Sequence, residues 1–118
     1  MANSDRPPGK TTVSPDVLIN IAKLSALGVP GVSHMAAVPG GVNRLFRRGA
    51  GEGVRIEIED NTVFAEIYLV LKEDVNIREV SRNVQRQVAR AVLEMVGMEV
   101  GYVNIHIEDI DYRESDEA

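Results

Sequence analysis

A stretch of alternating residues places the strongest limit on the fold of this chain. Residues 54–71 read VRIEIEDNTVFAEIYLVL, with apolar side chains at every second position through most of the stretch. Successive side chains of a strand point to opposite faces, so this pattern predicts two strands, 54–59 and 62–71, each with one buried face. The Asp60-Asn61 pair between them is typical of a tight turn. We therefore expect an antiparallel hairpin that needs a second layer to cover its apolar side.

Segments with helical spacing flank the hairpin on both sides. The first, SPDVLINIAKLSAL, begins at Ser14 as a predicted N-cap and ends at Gly28. The second opens at Asn76, with Glu79 three residues later in a capping-box pattern, and ends at Gly97. The predicted apolar stripes are Val17, Leu18, Ile21, Ala22 and Leu24 in the first helix, and Ile77, Val80, Val84, Val88, Ala91 and Met95 in the second.

A third strand, VNIHIEDI at 103–110, completes the pattern, with Val103, Ile105 and Ile107 predicted to point inward. The predicted fold class is α+β, in the order helix, strand, strand, helix, strand. Because each helix has one apolar stripe, both are expected to pack on one face of a three-stranded sheet. A last strand parallel to the second, after a helical crossover, makes this sheet mixed. The strand order stays open.

Composition fits one folded domain. The chain has 118 residues, 44% of them hydrophobic, and no cysteine, so it can bury a core without disulfides or thiolate metal sites. We predict a disordered lead at 1–11, a domain at 12–110 and an acidic disordered tail at 111–118. MANSDRPPGK lacks the apolar run of a signal peptide, and no apolar stretch is long enough to span a bilayer. These features predict a cytoplasmic protein, or one peripheral to the membrane.

Residues 29–53 are rich in glycine and are expected to form a loop. The glycines of GVPGV follow a helix C-terminus, whose partial negative charge repels phosphate. Neither GVPG nor PGGV carries the Lys-Ser/Thr pair of a phosphate-binding loop. The GVPG segment is therefore predicted to end the first helix and redirect the chain.

Residues typical of catalysis or metal binding are not grouped in the sequence. His34 and His106 have no evident common partner, and no serine lies in a nucleophile motif. Glu108, Asp109 and Asp111 lack the ordered loop and glycine turn of a calcium site, so they indicate a solvated strand end. No catalytic residue, metal ion or cofactor is expected.

The second helix carries a row of arginines, here called the arginine stripe. Its members recur every four residues and comprise Arg78, Arg82, Arg86 and Arg90. This spacing places them along one side of the helix, where planar guanidinium groups suit carboxylates or phosphates. The alternative is a solvated face held by the pairs Glu79–Arg82 and Arg90–Glu94.

A second basic group, here called the loop patch, consists of Arg44, Arg47 and Arg48 around Leu45 and Phe46. Basic and apolar residues together suit anionic lipid or an acidic partner. The alternative is that Leu45 and Phe46 pack on the core.

The sheet face away from the helices is predicted to carry acids and aromatic residues. Its predicted members are Glu57, Glu59, Phe64, Glu66, Tyr68, Val70, Tyr102, Asn104, His106 and Glu108. An apolar patch rimmed by carboxylates suits a protein partner better than a nucleic acid backbone. We predict that copies of this chain, or paralogues, associate with one another. The basic helix of one copy would pack against this acidic face of the next. The predicted partner-binding residues are the arginine stripe, the loop patch, Phe64 and Tyr68.

Several of these stretches resemble one family. SPDVLINIAKLSALGVPGV, the VNIREV that opens the second helix, and VNIHIEDI resemble the bacterial alkaline shock protein family of envelope stress-response proteins, over roughly residues 11–110. The resemblance implies a small, non-enzymatic cytoplasmic protein that acts in cell-envelope homeostasis. It also implies partners such as a membrane-anchored relative, at the inner face of the membrane. The family is not defined by catalytic residues, so none is assigned.

The alternative function is a KH-like nucleic-acid-binding domain, because two helices on a three-stranded sheet are similar to that fold. KH domains clamp the nucleic acid backbone with a GXXG loop between helices, and the second helix here runs on without one. A net charge of −5 further disfavours phosphate binding.

Overall fold

The computed structural model describes residues 7–39 and 50–112. Within these ranges the elements are α1 (Pro15–Leu27), β1 (Val32–Met35), β2 (Ala50–Gly51), β3 (Val54–Glu59), β4 (Thr62–Lys72), α2 (Ile77–Val96) and β5 (Glu99–Asp111). The predicted α+β class, both helices and the β3–β4 hairpin are confirmed. Most of the predicted lead and tail lies outside the described residues.

Strand β4 is the centre of the sheet, and it has neighbours along both edges. β5 runs parallel to it on one side, with Ile67 opposite Ile105. β3 runs antiparallel on the other side, and β1 continues that same edge toward the end of β4, where Val32 lies opposite Leu71. β2 pairs with the outer edge of β3. The sheet is therefore mixed, as predicted, because its last strand is parallel to β4.

The prediction of three strands is wrong, since the described sheet has five. The two additional strands lie within 29–53, where a loop was expected. β1 has four residues and β2 has two, which is too short for an alternating pattern to be visible in the sequence. β1 and β3 meet end to end beside Tyr68, whose carbonyl accepts from the Ala36 N–H at 2.8 Å and whose N–H donates to the Gly53 carbonyl at 2.8 Å.

Both helices pack on the same face of the sheet, as predicted. The core joins buried residues of α1 and α2 to the odd-numbered residues of β4, which all point to one side. Leu18 of α1, Val84 of α2 and Ile67 of β4 are fully buried there. The even-numbered residues of β4 therefore point to the opposite side, here called the open sheet face.

The buried stripe of each helix differs from the predicted one. In α1, Val17 and Leu24 are exposed, whereas Leu18, Ile21 and Ala22 are buried as predicted and are joined by Ile19 and Ala26. In α2 the buried positions are a valine row with four-residue spacing: Val80, Val84, Val88 and Val92. Ala91 is only half-buried, and Ile77 and Met95 are exposed. Val17, Leu24 and Met95 line an open groove between the two helices, and no described element covers it.

The ends of α2 follow the predicted chemistry, whereas those of α1 follow it only in part. The side chain of Asn76 accepts a hydrogen bond from the Glu79 N–H at 2.9 Å, and Gly97 ends the helix in the left-handed region at φ 73°. Ser14 makes no side-chain cap bond, and Gly28 ends α1 with right-handed backbone at φ −81°.

The GVPG segment is a structural turn between α1 and β1. Gly31 has φ +102°, a conformation that side chains with a Cβ rarely adopt. A Cβ at this position would lie 2.7 Å from Cγ2 of the buried Val80. Gly31 therefore lets the chain pass close to α2 before entering the sheet.

Candidate protein-interaction surfaces

The arginine stripe lies on the solvent side of α2, and all four of its members are exposed. Each arginine is two residues from the valine row, and two residues turn the helix by about 200°, so the stripe points away from the sheet. Its position is thus fixed by the burial of the valines.

Only part of the stripe is engaged with other described residues. Arg90 pairs with Glu94 at 3.4 Å, as its spacing predicts, and Arg86 donates to the side chain of Asn83 at 3.5 Å. The predicted Glu79–Arg82 pair is not formed within the described ranges. Arg78 and Arg82 also make no hydrogen bond or ion pair with another described residue, which leaves two guanidinium groups available at the N-terminal half of α2.

A shallow groove runs along this half of the helix. It is lined by Asn76, Arg78, Glu79, Arg82, Asn83 and Arg86. The positive end of the helix dipole adds to the charge of the arginines here. The groove is therefore suited to carboxylates, or to other anions that accept several hydrogen bonds.

The open sheet face carries two aromatic contacts between β4 and β5. The Phe64 and Tyr102 rings have centroids 5.0 Å apart, and Tyr68 stacks on His106 at 4.5 Å with 13° between their planes. Tyr68 is only 6% exposed, whereas Tyr102 is exposed. Phe64 and Tyr68 thus lie on the face where they were predicted, but Tyr102 offers more surface to a partner than Tyr68 does.

Glu66 is the polar centre of this face. Its Oε1 lies 2.6 Å from His106 Nε2, and its Oε2 accepts from the Asn104 side chain at 3.0 Å. The sequence predicts His106 to point outward, which is confirmed, but it gives no sign of this pairing between strands. Because the histidine and the carboxylate satisfy each other, they form a clamp between β4 and β5.

Opposing effects act on the pKa of Glu66. Burial raises it, but hydrogen bonds from His106 and Asn104, together with the positive charges of His106 and Arg55, lower it by more. The net pKa lies below the ordinary value for glutamate, so the group is a carboxylate at neutral pH.

The rim of the open sheet face is acidic. Glu57 and Glu59 are exposed at the end of β3, and Asp109 is exposed on β5. At the far end of β4, Ser33 donates to Asp111 Oδ2 at 2.7 Å and lies 3.0 Å from His34 Nδ1. The Ser33–Asp111 contact was not predicted, because it joins residues 78 positions apart in the sequence.

Three further predictions concern the loop patch, metal binding and membrane crossing. Arg44, Arg47 and Arg48 of the loop patch lie outside the described residues. In the described part of the chain, no cluster of three or more His, Asp or Glu side chains is arranged to hold a metal ion. No helix in that part is both long enough and apolar enough to cross a membrane.

The architecture defines a small α+β domain with charged surfaces on both sides of the sheet. The family model of the alkaline shock protein 23 family, which is described by a cell envelope-related function, matches residues 3–112. The chain belongs to this family.

Several uncharacterized relatives support this assignment. YqhY of Bacillus subtilis is 30% identical over 114 residues, which cover 95% of this chain and 84% of that protein. A Streptococcus pyogenes protein is 34% identical over 103 residues, covering 86% of this chain and 79% of its own length. YloU of Bacillus subtilis is 26% identical over 106 residues, covering 86% and 88% of the two chains.

Solved structures of the MamM CTD have a similar fold. One superposes with a TM-score of 0.52 at 12% identity, over 82% of this chain and 95% of that chain. Another gives 0.51 at 12% identity, over 81% and 98%. At this identity the likeness concerns the fold alone.

Proposed function

We propose that this protein is a non-enzymatic scaffold module that associates with copies of itself, or with a paralogue or membrane-anchored relative, in envelope stress response. Membership in a family with a cell envelope-related function supports a role at the cell envelope. The proposed site of action is the inner face of the membrane, to which the membrane-anchored relative would recruit the protein.

The observation that carries the proposal is the separation of charge across the domain. Arg78 and Arg82 are exposed on the outer side of α2 without a described partner, while Glu57 and Glu59 are exposed on the open sheet face. The sheet lies between these surfaces, so one copy cannot satisfy both with its own side chains. A second copy can place its open sheet face against the arginine stripe of the first.

This contact joins two different surfaces and is therefore head-to-tail. Contacts of this kind form rings or open chains instead of closed twofold dimers. The proposed assembly should thus grow with protein concentration, and salt should weaken it because exposed charges are screened.

The nucleic-acid alternative has less support. α2 runs without interruption from Ile77 to Val96, and only two residues separate it from β5. There is no break in this helix for a backbone-clamping loop of the KH type.

Charge reversal tests the proposal. Arg78→Glu combined with Arg82→Glu should abolish large assemblies in sedimentation velocity runs at low salt. Lys10→Glu combined with Lys23→Glu is the matched control, since it changes net charge equally while leaving both the arginine stripe and the open sheet face intact; Lys23 lies on α1 and loses only an exposed ion pair with Glu52. The control should assemble like the wild type.

A mixing experiment identifies the opposing surface. Glu57→Arg combined with Glu59→Arg should also lose assembly alone, because basic surfaces then face each other. Mixing this variant with the stripe variant restores complementary charge at both contacts and should restore alternating chains. Unchanged sedimentation of the stripe variant, or no recovery on mixing, would contradict the proposal.

A further inference from the structure

Strand β5 forms one edge of the sheet. It pairs with β4 along one side, from Glu99 to Asp111, and no other strand of the described ranges pairs with it. An unpaired edge presents backbone donors and acceptors that can bind a further strand.

The hydrogen bonds of Tyr68 show which groups face this edge. Its N–H and carbonyl both bond toward the β1/β3 side, to Gly53 and Ala36. Because the backbone groups of successive strand residues point to opposite sides, the N–H and carbonyl groups of the odd-numbered β4 residues point toward β5. In a parallel pair, a residue does not bond to the residue directly opposite it but to the residues just before and after that one. Because Ile67 lies opposite Ile105, the even-numbered residues of β5 bond to β4. The N–H and carbonyl groups of Val103, Ile105 and Ile107 consequently point to the open edge.

One of these outward groups already has a partner. The Gln85 side chain reaches from α2 and donates to the Val103 carbonyl at 3.0 Å. The other outward groups of Val103, Ile105 and Ile107 have no hydrogen bond to a described residue.

The middle of this edge lacks the charged and proline residues that block strand pairing. Residues 103–107 read VNIHI, with no lysine, acid or proline, although such residues are the usual devices that block an edge. Irregularities in the pairing with β4 lie at Gly101 and at Glu108, on either side of this segment. Within β5, acidic residues occur only beyond this segment, at Glu99, Glu108, Asp109 and Asp111. Regular pairing is thus possible over a short, defined stretch.

We propose that β5 pairs antiparallel with β5 of a second copy, about a twofold axis at Ile105. The proposal rests on the proposed self-association and names a second surface for it. In this register Ile105 meets Ile105 of the second copy, with both pointing their backbone groups at each other. Val103 then meets Ile107 of the second copy, and Asn104 meets its His106.

The occupant is a second copy because the segment is complementary to itself. Val103, Ile105 and Ile107 share one side of the strand and are all β-branched, a type that packs well in cross-strand pairs. Ile105 and Ile107 are only partly buried where they pack against the core, so a neighbouring strand would cover their remaining exposed surface. Pairing in this register also keeps the acidic ends of the two strands outside the regular segment.

Substitution at the axis tests this register. In the Ile105→Lys dimer two positive charges meet across the axis, and in the Ile105→Glu dimer two negative charges meet there. Each variant alone should therefore raise the dissociation constant of the dimer by about tenfold or more. An equal mixture of the two variants should recover the dimer, because opposite charges then meet. Sedimentation equilibrium in moderate salt measures the dimer, and circular dichroism checks that each variant is folded. Loss without recovery on mixing would overturn the register.

Crosslinking gives a second readout that does not depend on charge. The protein has no cysteine, so Ile105→Cys introduces a single thiol. Directly paired residues of this kind have Cα atoms about 5.5 Å apart, within the range for a disulfide. Ile105→Cys should form a crosslinked dimer much faster than Gln87→Cys, an exposed control on α2. Equal rates would overturn the proposal.

The two proposed contacts fail independently. If Arg78→Glu with Arg82→Glu leaves a dimer that crosslinks through Ile105→Cys, the strand contact stands without the charge contact. If salt-sensitive chains form while Ile105→Cys does not crosslink, the strand contact alone is overturned.

Discussion

His106 Nε2 lies 2.6 Å from Glu66 Oε1, which joins the edge strand β5 to the central strand β4 on the open sheet face. Tyr68 stacks on the same imidazole ring, and Asn104 binds the second oxygen of Glu66. The clamp thus holds the strand that we propose to pair with a second copy. It also links the stability of the domain to pH.

Acid should weaken the domain through Glu66. Since its folded-state pKa is lowered, the unfolded chain binds the proton more tightly, and protonation favours unfolding. The contribution is fully present above the ordinary glutamate pKa of about 4.3 and is lost as pH falls through the lower folded value. Glu66→Gln should cost about 1 kcal/mol at neutral pH, a modest figure because the His106 side chain is 41% exposed.

Urea unfolding of both proteins across the acid range checks this prediction. The difference in unfolding free energy between wild type and Glu66→Gln should shrink toward zero as pH falls. Glu57→Gln is the control, since this exposed glutamate has no hydrogen bond or ion pair to a described residue. A difference for Glu66→Gln that stays constant with pH would show that ionisation is not its cause.

Gly101 is required because the Phe64 ring lies against the backbone of β5. A Cβ there would lie 2.8 Å from Phe64 Cδ1 and 2.9 Å from Cζ, so the ring has to move and its contact with Tyr102 is disturbed. Gly101→Ala should lower the free energy of unfolding by about 1–3 kcal/mol. In a Phe64→Ala background the same change should cost much less. An equal cost in both backgrounds, by denaturant titration, would exclude the ring as the cause.

Glycine is required at position 31 but not at position 28, although both residues belong to one turn. Gly31→Ala combines backbone strain at positive φ with a 2.7 Å approach to Val80, and should cost about 3 kcal/mol or more. Gly28→Ala meets only ordinary contacts at 3.6 Å with right-handed backbone, so its effect should be small. Thermal unfolding measures both effects, and the melting temperature should fall much more for Gly31→Ala than for Gly28→Ala. A similar decrease in both variants would argue against the described turn.

A matched pair of leucines tests the buried face of α1. Leu18 is fully buried, and Leu18→Ala should cost about 3 kcal/mol through lost burial and the remaining cavity. Leu24 is 69% exposed, so Leu24→Ala should change stability little. Guanidinium chloride titrations of both variants measure this. A large loss at Leu24 would mean that the groove beside Met95 is covered in solution.

The sequence alone determined those helices and strands whose residue pattern repeats over many positions. Alternation predicted β3, β4 and most of β5, and helical spacing with Asn76 and Gly97 predicted α2. These signals are readable because each depends on neighbours in the chain: a side chain's face follows from strand or helix period, and a cap follows from the next few residues.

The arginine stripe was also predictable as a set, because four-residue spacing puts its members on one side of a helix. Which of them are engaged was not predictable. Arg90 pairs with Glu94 as its spacing suggests, whereas the equally plausible pair of Glu79 and Arg82 is not formed among the described residues. Exposed pairs are weak, and spacing alone does not fix two long side chains.

Only the tertiary structure decided the contacts between distant segments. β1 becomes a strand because the edge of β4 beyond β3 offers it partners, and Glu66 meets His106 because β5 returns parallel to β4. The same packing leaves Leu24 and Met95 exposed while it buries Ile19 and Val92. The sequence sets the period of each element, but the rotation and partners of that element follow from how all the buried faces fit together in one core.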